Sequence, residues 1–450
     1  MGGAFIVRIE DTDQKRLVPG SGEKIIESLD WYGLTPNEGP VQGGPYAPYV
    51  QSKRLNIYQE HAERLLTNGS AYYCFCTPER LGKLRDQQTA NKQPPRYDRH
   101  CTTLTVDDVA QRRGAGEAGA VRMKLPTSGN AELVDLIRGH VSFRYDLLDD
   151  SVIMKSDGFP TYHLANVVDD HLMKISHVIR AEEWLPSVPK HLFLYQAFGW
   201  TPPQFAHLPL LLGSDRSKLS KRHGATSALN FREAGYLPEA MINFMALMGW
   251  HPKGEAEILT RQHMIDEFSL AGINPSGAVF DRTKLDWMNG AYIRAMKVRD
   301  LLPRVRPFWT IPDNEKIEDR WLLRALTLIH ERMKTLREVN EINNVFTSVW
   351  DTQRKTFETE LLVPKKGSME ATKHHLEKTI GWIEKYDGAW EAVSIKEAML
   401  AGIAKAGKKN GDILWPLRVA LSLQAASPDV FDLLALLGKD ESRRRVRSFV

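Results

Sequence analysis

A parallel α/β half carrying an inserted unit, followed by an all-helical half, is the architecture this sequence predicts. Three observations carry it. Strand-like, helix-like and strand-like stretches follow one another at His177–Ile179, Val188–Phe198 and Leu208–Leu212, the order of a parallel crossover. The pattern loosens from about Ala71 to Tyr145, where Gln93-Pro94-Pro95-Arg96 and the Gly-rich stretch from Gly114 to Gly119 mark an insertion. Beyond about Thr226 the apolar residues fall at helical spacing.

Taken in order, Ala4 to Ile9 is apolar and β-branched, a strand candidate. Lys24 to Tyr32 sets Ile25, Ile26, Leu29 and Tyr32 on one helical face, and Gly33 ends it. Ser52 can cap a second helix carrying Leu55, Tyr58, Ala62, Leu65 and Leu66, with Gly69 as the stop. Ser151 to Met154 reads as a further strand. In the later half, Leu322, Leu323, Ala325, Leu326 and Ile329 form one apolar stripe, and Ile380, Ile383 and Tyr386 another; such stripes pack a core.

Composition narrows the class. A chain of 450 residues holds several domains. With 42% apolar and 26% charged residues the balance is that of an ordinary globular protein. No apolar run reaches the roughly 18 residues of a membrane span. The start, Met1 to Val7, is too short for a signal peptide and lacks its basic leader. Three cysteines argue against a disulfide scaffold and for a reducing cytoplasm, with a mitochondrial matrix as the alternative. The net charge of +4 says little about partners. The basic stretch Lys439 to Arg447 reads as a solvated helix end rather than a phosphate contact.

The segment Ser217-Lys218-Leu219-Ser220-Lys221-Arg222-His223-Gly224 follows a strand-like run. Two lysines three residues apart with a serine between them can bring two ammonium groups and further donors onto one phosphate chain. By itself it is equally an ordinary basic loop. It resembles, however, the Lys-Met-Ser-Lys-Ser signature of class I aminoacyl-tRNA synthetases. Two other segments are similar to the glutamyl members: Val7-Arg8-Ile9-Glu10-Asp11-Thr12-Asp13, with Arg16 behind it, and Lys155 to His171, running on to Ile179-Arg180-Ala181-Glu182-Glu183-Trp184. The resemblance continues through Phe280-Asp281 and Lys284-Leu285-Asp286-Trp287-Met288-Asn289-Gly290, and reaches Leu414-Trp415-Pro416-Leu417-Arg418 and Leu436-Leu437-Gly438-Lys439, so it covers essentially the whole chain.

The resemblance to bacterial-type glutamyl-tRNA synthetases implies a Rossmann-like class I catalytic domain over 1–70 and 146–225, and an acceptor-binding insertion over 71–145. It implies a stem-contact domain over 226–297 and a helical anticodon-binding domain over 298–450. Arg180 matches the position that holds the substrate carboxylate, a job suited to a bidentate fork, and Glu10 the one facing the amino group. Tyr162 and Asn166 match pocket-lining positions and Arg16 a basic position near the substrate. Around ATP, Glu183, Trp184, Lys218, Ser220 and Lys221 match, with Lys218 and Lys221 as the catalytic pair. Arg332 matches an arginine associated with anticodon reading. Magnesium (Mg2+) is implied with ATP; Asp169-Asp170-His171 reads as a structural motif of the sheet edge instead of a metal cage, because magnesium rides on phosphates. The reaction implied joins L-glutamate to tRNA(Glu) through an adenylate, in a monomeric protein with no membrane partner. A non-catalytic tRNA-binding protein and a synthetase that also charges tRNA(Gln) are the rival readings.

Two departures qualify the match. Family members carry a strand, a Pro-Ser-Pro-Thr-Gly stretch, a His-Ile-Gly-like motif and an Arg-Thr-Ala helix upstream of the Arg-Ile-Glu-Asp-Thr-Asp segment, and no segment here matches them. The expectation is that the polypeptide as written is inactive or very weak through an incomplete gene model. All three cysteines lie between residues 74 and 101, as Cys74-x-Cys76 and Tyr97-x-x-x-Cys101 with His100 alongside. Some family members hold a structural zinc ion with such a set. Here Tyr97 or His100 would be the fourth ligand, since the family's alternative histidine position is Thr103. Without zinc the three are simply reduced buried cysteines.

Overall fold

The computed structural model describes residues 2–220, 222, 227–313 and 317–450. It divides into two compact units, one formed by residues 1–226 and 245–280, the other by residues 227–244 and 281–450.

In the first unit the α-helices are α1 (Ser21–Trp31), α2 (Leu55–Thr67), α3 (Pro78–Ala90), α4 (Val106–Gly114), α5 (Tyr162–Leu172), α6 (Val188–Phe198) and α7 (Arg261–Glu267). The strands are β1 (Ala71–Cys74), β2 (Ala120–Met123), β3 (Asn130–Asp135), β4 (Gly139–Arg144), β5 (Val152–Met154), β6 (His177–Ala181), β7 (Gln204–Leu208), β8 (Leu211–Leu212) and β9 (Ala278–Val279). They form an antiparallel sheet β1-β2-β5, a mixed sheet β4-β3-β7-β6 and the parallel pair β8-β9. Strands of the 71–145 segment thus pair with β5 and β7, which follow it in the chain.

The crossover that positions the candidate site is β6-α6-β7. The two strands run parallel with Arg180 opposite His207. Helix α6 begins at a proline in its first turn and ends on Gly199, whose φ of 73° closes it. Its Val188, Phe193, Leu194, Tyr195 and Phe198 are buried, each contributing about 1.5–3 kcal/mol of hydrophobic stabilisation. The second strand lies at Gln204–Leu208 instead of Leu208–Leu212. Pro209 has no N–H to give the ladder, so the run beyond it forms the separate strand β8.

Two early expectations also shift. Residues 4–9 make isolated parallel bridges, Ile6 to Glu38 and Ile9 to Val50, and no full strand. The second helix starts at Leu55 behind Arg54, because a 3-10 turn over Gln51–Lys53 takes up Ser52. There the backbone N–H of Ser52 donates to Asp11 Oδ1 at 2.8 Å.

Asp169-Asp170 lies on α5, not at a sheet edge, and works through buried charge pairs. Asp169 is 0% exposed. It accepts from Arg54 Nε at 2.8 Å, Tyr58 Oη at 2.7 Å and Gln51 Nε2 at 3.1 Å. Asp170 takes Arg8 Nη1 at 2.9 Å. These bonds tie α5 to the start of α2 and to the segment carrying Glu10.

The second unit is helical throughout among its described residues. Leu322, Ala325, Leu326 and Ile329 are buried in one core with Ile380 and Ile383, so both stripes pack inward. The C-terminal basic stretch is solvated at Arg443, Arg444 and Arg447, as expected of a helix end, but not at Arg445. Arg445 is 0% exposed. Its Nη1 donates to Asn344 O at 2.6 Å and Leu421 O at 2.8 Å, its Nη2 to Val345 O at 2.9 Å, and its Nε to Glu441 at 2.7 Å. Arg444 pairs with Glu441 and Asp351, and Arg447 with Glu384. No described helix is long and apolar enough to cross a membrane.

Candidate active site

Glu10, Tyr162, Asn166 and Arg180 line one cavity of about 1000 Å3, together with Arg8 and Asp170. Each gets there for a local reason. Tyr162 and Asn166 occupy successive turns at the start of α5, so both face the same way. Arg180 stands near the end of β6 and donates from Nη1 to Tyr162 Oη at 2.7 Å. Burial, opposed by the nearby Arg180 charge, pushes the Tyr162 phenol above its ordinary value, so it stays protonated. The second terminal nitrogen of Arg180, Nη2, is buried with no hydrogen-bond partner among the described residues.

On the other side Glu10 is held by Arg8 Nη2 at 2.9 Å. The Asn166 amide, oriented to satisfy both its atoms, accepts from Arg8 Nη2 at 2.9 Å and donates to Asp170 Oδ2 at 3.2 Å. Burial raises the carboxyl of Asp170, against the pull of Arg8. Arg8, quoted in the sequence motif without a role, is therefore the hub of the acidic side. Its own burial opposes the charge, and Asp170, Glu10 and Asp169 outweigh it, so the net shift is upward.

Arg16 is not brought into this cavity. Its side chain is 86% exposed and pairs with Asp13, and it lines a neighbouring cavity of about 870 Å3 that also meets Tyr162, His163, Lys155 and Cys76. Beneath Tyr162 lies a buried histidine pair, His163 Nδ1 and His191 Nε2 at 3.2 Å. Burial, then the Lys190 and Arg180 charges, pulls His163 down to about 4.

Glu183 and Trp184 fall in the 3-10 turn that follows β6. The Trp184 ring lies 4.6 Å from that of Tyr162, and Glu183 pairs with Lys218. Lys218 follows β8, with a bridge back to Leu212. Arg222 bonds Ser217 Oγ at 2.6 Å and Asp215 at 3.3 Å. Ser220 is described and is not free of partners; Lys221 and His223 to Thr226 lie outside the described residues. In the second unit Arg332 is exposed at the end of a 3-10 turn over His330–Arg332, not on a helix.

The three cysteines converge. Their sulfurs lie within 4.8 Å of one another, with Cys76 and Cys101 at 3.5 Å. Tyr97 Oη is 3.3 Å from Cys74 Sγ and 3.4 Å from Cys76 Sγ. Ligands of a tetrahedral zinc ion stand about 3.5–3.8 Å apart, given bond lengths of about 2.0–2.3 Å, so this donor set fits one. Tyr97 is buried within the group and His100 is exposed outside it.

Two residues that sequence reasoning missed support Arg180. His207, fully buried on β7, faces Arg180 Nε from Nε2 at 3.2 Å and Asp135 Oδ2 from Nδ1 at 2.6 Å. The one signal in the sequence was a lone histidine inside the apolar strand Phe205-Ala206-His207-Leu208, which burial obliges to find partners.

The comparisons with known proteins agree with one another. A family model described as "tRNA synthetases class I (E and Q), catalytic domain" matches residues 1–287, and one described as "Anticodon binding domain" matches residues 300–450. The chain is 45% identical over 449 residues to a glutamate–tRNA ligase of Dehalococcoides mccartyi, covering 99% of this chain and 90% of that one. It is 42% identical over 461 residues to a glutamate–tRNA ligase of Acidothermus cellulolyticus, covering 99% and 88%. Among solved structures, a glutamate–tRNA synthetase from Elizabethkingia anophelis matches with a TM-score of 0.86 at 36% identity, over 100% of this chain and 93% of that one. A glutamate–tRNA ligase from Elizabethkingia meningosepticum, solved in complex with its amino acid, gives 0.85 at 35% identity, over 100% and 92%.

Proposed function

The chain belongs to the class I tRNA synthetases of the glutamate and glutamine type, and from that premise we propose that it is a glutamate–tRNA ligase. The observation that carries the reading is the charge pattern of the 1000 Å3 cavity, with Arg180 on one side and Glu10 on the other. Glutamate brings two carboxylates and one ammonium, so it needs a cation and an anion set apart in one pocket. Arg180 takes a carboxylate, Glu10 faces the amine, and Tyr162 and Asn166 hold the walls. Glutamine is nearly isosteric with glutamate, so shape cannot reject it. A buried arginine facing an amide loses a charge-assisted partner, which separates the two by a few kcal/mol.

Glu183, Trp184, Lys218, Ser220 and Lys221 would bind ATP. The glutamate α-carboxylate attacks the α-phosphorus in line, pyrophosphate leaves, and the terminal ribose hydroxyl of tRNA(Glu) then takes the acyl group. The protein contributes position and charge with little proton transfer. Lys218 is held by Glu183 and exchanges that partner for the phosphates as charge builds on them. Magnesium would accompany ATP and neutralise charge on its phosphates. Arg332 serves the anticodon. Cys74, Cys76, Cys101 and Tyr97 would hold a structural zinc ion, which would pin β1 to the 97–101 turn and supply no chemistry.

The test is charging of tRNA(Glu) and tRNA(Gln) with labelled glutamate. It is run on this chain beside its Arg180→Ala variant. Charging that Arg180→Ala abolishes supports the ligase. If neither form charges while both bind tRNA, a non-catalytic tRNA-binding role replaces it.

A further inference from the structure

Arg180 is fixed at two points, and one of them has a chain of support behind it. Its Nη1 meets Tyr162 Oη, and its Nε meets His207 Nε2 at 3.2 Å. An arginine Nε–H can only donate, so His207 Nε2 must be the unprotonated nitrogen and Nδ1 must carry the proton. That proton goes to Asp135 Oδ2 at 2.6 Å. Asp135 is anchored in turn, because its Oδ1 accepts the backbone N–H groups of Ile137, Arg138 and His207 at 3.0, 2.9 and 3.2 Å. Asp135 is 2% and His207 0% exposed, and the three side chains come from neighbouring strands β3, β7 and β6.

We infer that Asp135 and His207 are positioning residues that set the plane of the Arg180 guanidinium and so determine how firmly the site holds the substrate carboxylate. The inference rests on the reading of Arg180 as the carboxylate partner. A free arginine side chain samples many rotamers. With Nε and Nη1 both engaged, the guanidinium plane is fixed before substrate arrives, and the buried Nη2, which has no protein partner among the described residues, is left to point a donor at an anion. Pre-orienting a donor in this way removes an ordering cost from binding. The tautomer of His207 is essential to it: with the proton on Nε2 instead, two N–H groups would confront each other and Arg180 would swing away. Asp135 enforces the tautomer, as a buried carboxylate does for a histidine elsewhere in enzymology. Burial, followed by the opposing bond to Asp135 and the Arg180 charge, leaves His207 below its ordinary value, so the ring is neutral as this arrangement requires.

Three substitutions separate positioning from mere packing. Asn at a histidine position reproduces Nδ1, whereas Gln reaches the place of Nε2. Thus His207→Asn keeps the Asp135 contact and loses Arg180, and His207→Gln keeps an acceptor for Arg180. Asp135→Asn keeps its acceptor for the backbone N–H groups, but its amide donates to Nδ1 and drives the proton onto Nε2. L-glutamate and L-glutamine binding is measured by calorimetry, and KM and kcat for glutamate are measured in charging, with Arg180→Ala as reference and melting temperature as the check on folding. Asp135→Asn and His207→Asn are expected to weaken glutamate about ten- to hundredfold. The loss falls on KM more than on kcat, the KM for ATP is unmoved, and the preference over glutamine narrows. His207→Gln is expected to stay within about threefold of the parent. If Arg180→Ala abolishes glutamate binding while Asp135→Asn and His207→Asn match the parent, or if His207→Gln falls as far as His207→Asn, the positioning role is overturned and the site reading survives. If Arg180→Ala itself binds glutamate normally, the site reading fails and the positioning role with it.

Discussion

Removal of the Asp169 carboxylate tests whether the buried charge network holds the site in shape. Asp169 is fully buried, and the side chain of its main partner Arg54 is only 4% exposed. In Asp169→Ala the Arg54 guanidinium keeps its Nη1 bonds to Tyr46 O at 3.0 Å and Pro48 O at 3.1 Å but is left as a buried cation without an anion at Nε. Breaking one side of such a pair costs about 3–5 kcal/mol. Tyr58 Oη and Gln51 Nε2 also lose an acceptor, at about 1–3 kcal/mol each if unsatisfied, though neighbours within one network do not add in full. A fall of at least 3–5 kcal/mol corresponds to a drop of about 6–20 °C in the melting temperature of a unit this size. Asp169→Asn keeps the shape and one acceptor for Tyr58 and is expected to lose about half as much. The assay is calorimetric unfolding combined with glutamate titration, because α5 carries Tyr162 and Asn166 and its loosening weakens binding alongside stability. A melting curve for Asp169→Ala within about 2 °C of the parent would refute the reasoning, since it would mean that α5 is held by apolar packing alone.

Further expectations follow from other parts of the molecule. Arg445→Ala strips three buried carbonyls and Glu441 of their donor and should cost about 3–5 kcal/mol; chemical denaturation followed by tryptophan fluorescence measures it. Metal analysis should find one zinc per chain, lost in Cys76→Ser and Cys101→Ser and kept in His100→Ala; a zinc content insensitive to the cysteines would remove the zinc reading. Lys218→Ala should lower ATP–pyrophosphate exchange in the tRNA-bound enzyme about a hundredfold while glutamate affinity holds. His163 titrates at about 4 in the fold against an ordinary 6.5. The unfolded chain therefore binds its proton first, and stability falls as pH drops from about 6.5 towards 4, by roughly 3 kcal/mol in all. His163→Gln should flatten that part of the pH–stability curve.

What could be read from the sequence was whatever local chemistry dictates. Helix α6 was legible to the residue, because a proline opens it and Gly199 closes it. Residues within one motif, such as Tyr162 and Asn166 a helical turn apart, were legible as a pair. The position of β7 was not, because the apolar run Leu208–Leu212 outweighed the proline that breaks it. The start of α2 was missed because a serine is a good cap anywhere, and only the three-dimensional turn shows that Arg54 takes the position. Asp135 and His207 stand 72 residues apart, and neither carries a local mark of the other. Arg445 was hidden within its own composition. One arginine among four in nine residues looks like surface charge, and only packing shows which one turns inward.

The interleaving of the two units bears on how the molecule can be cut. Residues 227–244 belong with 281–450, and residues 245–280 with the first unit, so the chain passes from one unit to the other three times and neither is a continuous stretch. A fragment stopping at residue 226 would forfeit Trp250, Leu259 and Met264, all buried in the parent. A fragment starting at 281 would open the helical core where Leu237 and Ala240 sit. Both would show raw apolar surface and clump, whatever their sequence signatures promise. Anyone dissecting the protein must therefore excise and reconnect rather than truncate, keeping 227–244 with 281–450 and 245–280 with the first unit.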